Sequence, residues 1–342
     1  METLMPIKNI KSRNHSFDFL KAIFAIGVIF VHFPFPGITG KIFSAIGVCG
    51  VIFFFLISGY SAYNKDDNIA CNNIIRRFKK YLIITIIVVL IYFAFKIIES
   101  AIAGEFSEFL ASFKNPWLFP RMIILGDFSF IKADQLWFMV ALLYSYLIFY
   151  LLHKFKITKY AYYILPLLLF LRIGMETYVN SYNADWHYSG NFLVGGLPIM
   201  LLGHYIAYKK NDFFKSPIYL TAILTIIFTT FMFITVNVKV FDLDVSQLFK
   251  ILCMLELFLL TLKIPGKKEM PVLGILGRKY SLYIYLFHFL IGIMVYDVMY
   301  LIGNPEWVYD WIGPILAATF GIFVSILLYE INTKIKTKMI KQ

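Results

Sequence analysis

The first apolar stretch, FDFLKAIFAIGVIFVHF at residues 17–33, approaches the length of a membrane span but carries polar side chains. A hydrocarbon core about 30 Å thick needs about 20 apolar residues per helix. The polar interruptions are Asp18, Lys21 and His32. An ionisable group at mid-depth costs roughly 2.5–3.5 kcal/mol, so these residues indicate a bundle interior or a hydrated cavity.

The whole chain has this apolar character. Of its 342 residues, 60% are hydrophobic and only 15% are charged, unlike a typical soluble domain. The sequence therefore predicts an all-α polytopic membrane protein with a single domain over residues 1–342. Ten apolar runs are the expected transmembrane helices, at about 17–35, 42–62, 81–98, 135–152, 160–174, 191–208, 217–236, 247–263, 281–302 and 310–332.

The net charge of +12 is explained by membrane topology. With the N-terminus inside, the cytoplasmic segments are 1–21, 63–80, 153–159, 209–216, 263–280 and 333–342. They hold 24 of the 32 Lys and Arg residues, an asymmetry that follows the positive-inside rule. We therefore expect both termini in the cytoplasm and no nucleic-acid partner.

Neither a signal peptide nor a cysteine site is predicted. The first run is long and charged, and no small-residue cleavage pattern follows it. Cys49, Cys71 and Cys253 are scattered, without metal-ligand or redox spacing. We therefore expect no metal site.

Two exterior connections are long, 99–134 and 175–190. The second, METYVNSYNADWHYSG, is rich in Tyr, Asn and Trp. Aromatic rings beside amides and carboxylates suit stacking on sugar rings and hydrogen bonding to hydroxyls. The alternative is an interfacial aromatic belt, which is common in membrane proteins.

The polar residues of the first run share one helical face. Lys21 and His32 are 11 positions apart, about three turns, and Asp18 joins the same face. Snorkelling and an i, i+3 pair can account for Lys21 and Asp18. His32 lies about 16 Å further along, towards the outer leaflet. It is either a helix-end histidine bonded to a hydroxyl or headgroup, or a general base for a hydroxyl nucleophile.

The second and third runs meet at a basic segment. The second ends in FFFLISGY, where Gly59 permits close helix approach and Ser58 can bond a backbone group or a ligand. The segment CNNIIRRFKKYL follows and carries four cations, Arg76, Arg77, Lys79 and Lys80. The positive-inside rule accounts for such a cluster, but it also suits the phosphates of a cytoplasmic donor.

Two later motifs contribute further candidates. DQLWFMVALL opens the fourth run from outside with Asp134 and Trp137. GRKYSLYIYLFHFLIG opens the ninth run from inside and contains His288, which is either a second pore-lining group or a packed core histidine.

In this order, FDFLKAIFAIGVIFVHF, FFFLISGY, RRFKK, LWFMVALL and LGRKYSLYIYLFHFLI resemble the acyltransferase type 3 family of membrane acyltransferases, over about residues 16–292. The resemblance implies transfer of an acyl group, often acetyl, from cytoplasmic acyl-CoA to hydroxyls of cell-surface glycans or other acceptors. It also implies a location in the cell membrane, expected to be a bacterial plasma membrane, among membrane lipid. No tightly bound cofactor is implied.

The resemblance also implies site residues. The family has an Arg separated by ten residues from a His needed for activity, a pattern that falls on Lys21 and His32. Its second basic motif, two Arg separated by two residues, falls on Arg77 and Lys80, or alternatively on Arg76 and Lys79. The chain ends after its tenth run, so we expect no extracytoplasmic hydrolase-like domain and action alone or with a separate extracytoplasmic transferase.

These observations predict a mechanism. His32, Lys21 and Asp18 form the catalytic group, in which His32 is a general base or a transient acyl carrier. The four cations and Ser58 bind the donor, while Asp134, Trp137 and His288 bind the acceptor. One alternative is a transporter or flippase for a small or lipid-linked solute. A noncatalytic scaffold or sensor is the other.

Overall fold

The computed structural model describes residues 13–236 and 245–341, with side chains up to residue 337. Residues 1–12, part of the predicted basic N-terminal segment, lie outside this range. The described residues form helices and no β-strand, which confirms the all-α class. The ten principal helices are α1 (His15–His32), α2 (Gly37–Ala62), α3 (Asp67–Ala103), α4 (Trp137–Lys154), α5 (Thr158–Tyr182), α6 (Leu197–Tyr208), α7 (Ile218–Thr235), α8 (Ser246–Lys263), α9 (Ser281–Ile302) and α10 (Gly313–Lys341).

Shorter helical segments connect the principal helices. They are Phe106–Ser112, Leu118–Ile124, Ser129–Ile131, Asp134–Leu136, Trp186–Tyr188, Phe192–Gly196, Lys210–Lys215, Leu273–Ile275, Leu276–Tyr280 and Val308–Ile312. The long exterior connections are therefore largely helical, and α5 extends into the second of them.

Within the described residues, eight helical segments are long and apolar enough to cross a membrane. They are His15–His32, Gly37–Ala62, Asp67–Ala103, Asp134–Lys154, Thr158–Tyr182, Ile218–Thr235, Leu273–Ile302 and Val308–Thr337. The run at 191–208 forms the shorter apolar helix Phe192–Tyr208, and the run at 247–263 forms α8. The chain is thus a polytopic membrane protein, while ten spans and cytoplasmic termini stay predictions.

Helix starts follow local sequence. The Asn14 side chain accepts a hydrogen bond from the Ser16 amide at 3.0 Å and caps α1. Asp66 caps α3 by accepting from the amides of Asn68 and Ile69. These caps fix where the helices that carry the site begin.

The helices form an inner and an outer group. About half of α1, α2 and α4 is buried, whereas only 17% of α3, α5 and α7 is buried. The outer helices present large apolar side chains such as Leu90, Leu167 and Ile226. Such a surface suits contact with lipid.

Two glycines bring backbones into direct contact. A Cβ on Gly59 of α2 would lie 1.8 Å from the Met200 carbonyl oxygen of α6, the close approach that the sequence predicts. A Cβ on Gly277, just before α9, would lie 1.7 Å from the Asp18 carbonyl oxygen of α1. Only glycine permits this spacing, which sets the position of α1, α2 and α9 around the site.

Candidate active site

A basic cavity of about 300 Å³ opens where α2 ends and α3 begins, a side that we call the basic face. Its polar wall includes Lys21 of α1, Ser58 of α2, Arg77 of α3 and Arg278. The Arg77 Nη2 donates to the Ser61 carbonyl at 2.9 Å, which holds the guanidinium in this wall. The structure thus brings together three residues from separate predicted motifs and adds Arg278.

The other predicted cations do not line this cavity. Arg76, Lys79 and Lys80 are exposed on the basic face, and the Arg76 Nη2 donates to the Asn73 side chain at 2.9 Å. Lys80 lies over the Tyr81 ring, 5.4 Å from its centroid. The helical period accounts for Arg76 and Lys79, which point away from Arg77, whereas Lys80 lies one turn after Arg77 on the same side of α3.

Asp18 supports the cavity without lining it. Its side chain is 2% exposed and accepts two hydrogen bonds from the Arg13 guanidinium, at 2.6 and 2.9 Å. The Lys21 Nζ lies 3.5 Å from the Asp18 Oδ1, the oxygen that also accepts from the Arg13 Nη2. Asp18 therefore orients Lys21, and neither residue lines the cavity that contains His32.

A second cavity, of about 320 Å³, lies on the opposite face, and we call it the histidine cavity. His32, at the end of α1, lines it together with Asp134 and Trp137 at the start of α4. The structure therefore brings His32 next to two residues that the sequence assigns to the acceptor.

The second exterior connection and the end of α5 complete this cavity. Trp186 faces Trp137 with their ring centroids 6.2 Å apart, and both line the cavity. Glu176 also lines it and accepts a hydrogen bond from Gln247 at 2.9 Å. This combination of aromatic rings with amide and carboxylate groups is the one that the sequence associates with sugars.

Arg172 of α5 is the buried cation of the histidine cavity. Its Nη1 donates to the Gly195 carbonyl at 2.5 Å and to the Val194 carbonyl at 3.3 Å. The Nε is buried without a hydrogen-bond partner. A cation inside an apolar run is a signal for function, so the sequence could have pointed to Arg172.

His288 lies behind His32. Their ring centroids are 5.3 Å apart, and His288 is 0% exposed and does not line the histidine cavity. The sequence left two interpretations of His288, a pore-lining group or a packed core histidine, and the structure favours the second. The predicted direct role of His288 in acceptor binding does not fit its burial.

The hydrogen bonds of His288 define its tautomer. Its Nδ1 lies 3.0 Å from the Ile284 carbonyl and 2.8 Å from the Tyr285 carbonyl. Carbonyl oxygens only accept, so Nδ1 carries the proton and Nε2 is the basic nitrogen. The Nε2 is buried without a partner, so its lone pair is available beside the His32 ring.

A rigid hydrogen-bonded group supports this part of α9. The Tyr92 hydroxyl donates to the Leu286 carbonyl at 3.0 Å and accepts from the Leu290 amide at 3.1 Å. The Tyr285 hydroxyl donates to the Gln135 carbonyl. Three helices are thereby fixed around the two histidines.

Tyr285 separates the two cavities. It belongs to the wall of the basic cavity and to the wall of the histidine cavity. Its ring packs against Phe138, with centroids 5.0 Å apart. A group that enters from the basic face therefore has one aromatic layer between it and the cavity of His32.

A charged cluster at the exterior connections adjoins the histidine cavity. The Arg121 guanidinium donates to Asp127 and to Asp185, both at 2.7 Å. Burial raises the pKa of the Asp185 carboxyl, but the hydrogen bond from Arg121 and those from His187 outweigh it and lower the pKa to about 2. Burial likewise opposes the hydrogen bonds from Ser129 and Arg121 at Asp127, whose pKa is lowered overall.

Sequence reasoning misses this cluster and Arg278. The local sequence signal for the cluster is Asp185 and His187, two residues apart in the connection 175–190. Arg121 and Asp127 lie in the other connection, 99–134, so no local pattern links them to this pair. Arg278 stands in the quoted GRKY segment, where its charge is explained by topology alone.

Comparison with known families agrees with this arrangement. A family model described as "Acyltransferase domain" matches residues 14–330. No curated protein and no solved structure matches the chain. The match covers nearly the whole chain, including both cavities, and the chain therefore belongs to the acyltransferase type 3 family of membrane acyltransferases.

Proposed function

We propose that this membrane acyltransferase takes an acyl group, in the first instance acetyl, from acyl-CoA and transfers it to a hydroxyl of a cell-surface carbohydrate or related acceptor. The observation that carries the proposal is the pair of cavities on opposite faces that share Tyr285. One is basic and the other contains a histidine beside aromatic and polar groups. The basic face is taken as cytoplasmic, as the charge asymmetry predicts.

The basic cavity suits the phosphates of CoA. Lys21, Arg77 and Arg278 converge on it from three separate segments. A guanidinium binds phosphate through two parallel hydrogen bonds, and Arg77 is already oriented by Ser61. The pantetheine arm would then extend past Phe54 and Phe138, also in this wall, towards Tyr285.

The histidine cavity suits a polar acceptor with ring faces. Trp137 and Trp186 offer aromatic surfaces, and Glu176 and Asp134 offer carboxylate acceptors for hydroxyl groups. A volume of about 320 Å³ lies at the lower end of the range for ligand sites, about 300–1,000 Å³. One sugar unit, rather than a long chain, would therefore lie inside.

His32 is the proposed catalytic residue. As a general base it removes the hydroxyl proton while the acceptor oxygen attacks the thioester carbonyl. The carbon–sulfur bond then breaks, the carbon–oxygen bond of the ester remains, and the proton passes from His32 to the CoA sulfur. Alternatively a His32 ring nitrogen attacks the thioester first, the carbon–sulfur bond breaks, and CoA leaves with the imidazole proton. The acceptor oxygen then attacks the acyl carbon, the carbon–nitrogen bond breaks, and the hydroxyl proton returns to the imidazole.

His288 is the proposed positioning residue for His32. Its Nε2 lone pair can accept an N–H from the neighbouring imidazole after a small ring rotation or through one water. This contact would select the His32 tautomer whose second nitrogen faces the acceptor. Asp18 has the corresponding role for Lys21 in the basic cavity.

The test uses the purified full chain in liposomes with radiolabelled acetyl-CoA supplied on the basic face and envelope glycans on the other. Label should appear on the glycan with wild type and not with His32→Ala. The matched control is His15→Ala, which changes a histidine at the other end of the same helix. It should retain transfer.

Two outcomes would contradict the proposal. Transfer by His32→Ala at the wild-type rate would remove His32 from the chemistry. Absence of release and transfer in wild type, with longer acyl-CoAs also supplied, would argue against the acyl-CoA donor, and solute flux across the same liposomes would then test the transporter alternative.

A further inference from the structure

We propose that His187, Asp127 and Asp134 bind one divalent transition-metal ion at the exterior edge of the histidine cavity. One ring nitrogen of His187 and one carboxylate oxygen from each Asp lie within 4.8 Å of one another. The three residues come from two exterior connections and the start of the Asp134–Lys154 span. The proposal concerns a binding site and does not depend on the acyl-transfer proposal.

The orientation of His187 is the first argument. The side chain is buried, 4% exposed, and its Nδ1 lies 2.7 Å from the Asp185 Oδ1. An ionised carboxylate only accepts, so Nδ1 carries the proton and Nε2 has the lone pair. Metal-binding histidines characteristically donate their other N–H to a carboxylate in this way.

Two atoms without hydrogen-bond partners provide the second argument. His187 Nε2 and Asp134 Oδ1 are both buried and make no hydrogen bond. The Nε2 faces the Asp127 Oδ1 at 3.4 Å, a distance too long for a good hydrogen bond between these groups. Buried polar atoms normally have a partner, and one ion between these atoms would satisfy both.

Charge is the third argument. The cluster has the carboxylates of Asp127, Asp134 and Asp185 against the single guanidinium of Arg121, a formal charge of −2 with neutral His187. A divalent cation would neutralise it. The other His–carboxylate group among the described residues, His15 with Asp18 and Glu269, differs because Arg13 and Arg278 already pair with its carboxylates.

The donor set selects the metal. One imidazole nitrogen with two carboxylate oxygens suits Zn²⁺, whereas Mg²⁺ and Ca²⁺ prefer oxygen ligands alone. Three protein ligands would leave a coordination position free, and Asp134 also lines the histidine cavity, so the ion would lie at its edge. The ion would join both exterior connections and present that position to a bound acceptor.

The experiment measures Zn²⁺ binding to the purified full chain in detergent after EDTA treatment, by equilibrium dialysis with metal analysis and without acyl donor or acceptor. Wild type should bind one Zn²⁺ that a large excess of Mg²⁺ does not displace. Binding should be lost in Asp134→Asn and His187→Gln. In Asp185→Asn it should weaken by about 10- to 100-fold, as for partners that orient a metal-bound histidine.

Asp134→Asn is the decisive variant, since it removes a charge from an atom that makes no hydrogen bond and should leave the fold unchanged. His15→Ala is the matched control and should bind Zn²⁺ as wild type does. Zn²⁺ should raise the unfolding temperature of wild type and the control, and should not raise that of Asp134→Asn. No stoichiometric binding, or equal binding by Asp134→Asn and wild type, would overturn the proposal.

Discussion

The backbone contact between α2 and α6 gives a quantitative prediction for Gly59→Ala. The new Cβ would lie 1.8 Å from the Met200 carbonyl oxygen, whereas real Cβ contacts under 3.0 Å essentially do not occur. The helices must therefore separate by roughly 1 Å, and overpacking of this kind costs about 1–3 kcal/mol. Gly203 of α6 faces the Leu56 carbonyl in the same way, so a tilt that relieves one contact closes the other.

Gly174→Ala is the matched control, because Gly174 lies inside α5 and a Cβ there meets nothing within 4 Å. This variant should gain about 0.5–1 kcal/mol from the better helix propensity of alanine. Gly59 also lies inside a helix, so this gain is common to both variants, and they should differ by about 1–3 kcal/mol in the free energy of unfolding, measured by SDS titration of detergent-solubilised protein. Equal stability of the two variants, or a more stable Gly59→Ala, would refute the close approach of α2 and α6.

The remaining predictions concern the two cavities. Arg77→Gln should raise the KM for acetyl-CoA in a transfer assay by roughly 10- to 100-fold, because it removes a charge-assisted hydrogen bond. Lys79 does not line the basic cavity, so Lys79→Gln should raise this KM far less. Equal effects of the two variants would reject the basic cavity as the donor site. His288→Gln should lower kcat by roughly 10- to 100-fold and change its pH profile, with the KM for acetyl-CoA unchanged; an unchanged profile would mean a packing role only. Trp186→Ala should raise the KM for the glycan without affecting the KM for acetyl-CoA. Trp117 is exposed on the other connection, so Trp117→Ala should change neither value. A higher KM for acetyl-CoA in Trp186→Ala would count against the assignment of Trp186 to the acceptor site.

The helices were largely predictable from the sequence because apolar runs of span length have few alternatives in a membrane. Each predicted run overlaps one principal helix, although α3 and α5 extend well beyond the runs at 81–98 and 160–174. The run at 191–208 differs because it begins with the π-helical segment Phe192–Gly196, which leaves α6 short. Asn191 caps this segment by accepting from two backbone amides, a local choice that hydropathy does not register.

The site was only partly predictable. Helical periodicity predicts Lys21 and His32 on one face of α1, but it gives no information on what separates them in depth, and they line different cavities. Tyr285 of α9 lines both cavities. Its place there depends on how segments that are distant in the sequence pack together, which the sequence pattern does not give. The cluster at His187 requires two exterior connections to meet, which a single sequence does not reveal.

The aromatic layer at Tyr285 also has an electrical consequence. When both cavities fill with water, dissolved ions carry the potential of each compartment to the two sides of this ring. Most of the transmembrane voltage would then fall across a few side chains, where moving one elementary charge corresponds to about 2.3 kcal/mol per 100 mV. In the proposed mechanism, a proton that His32 accepts on one side and that leaves with CoA on the other would cross this field. If the enzyme works in this way, the rate of acyl transfer should respond to the membrane potential.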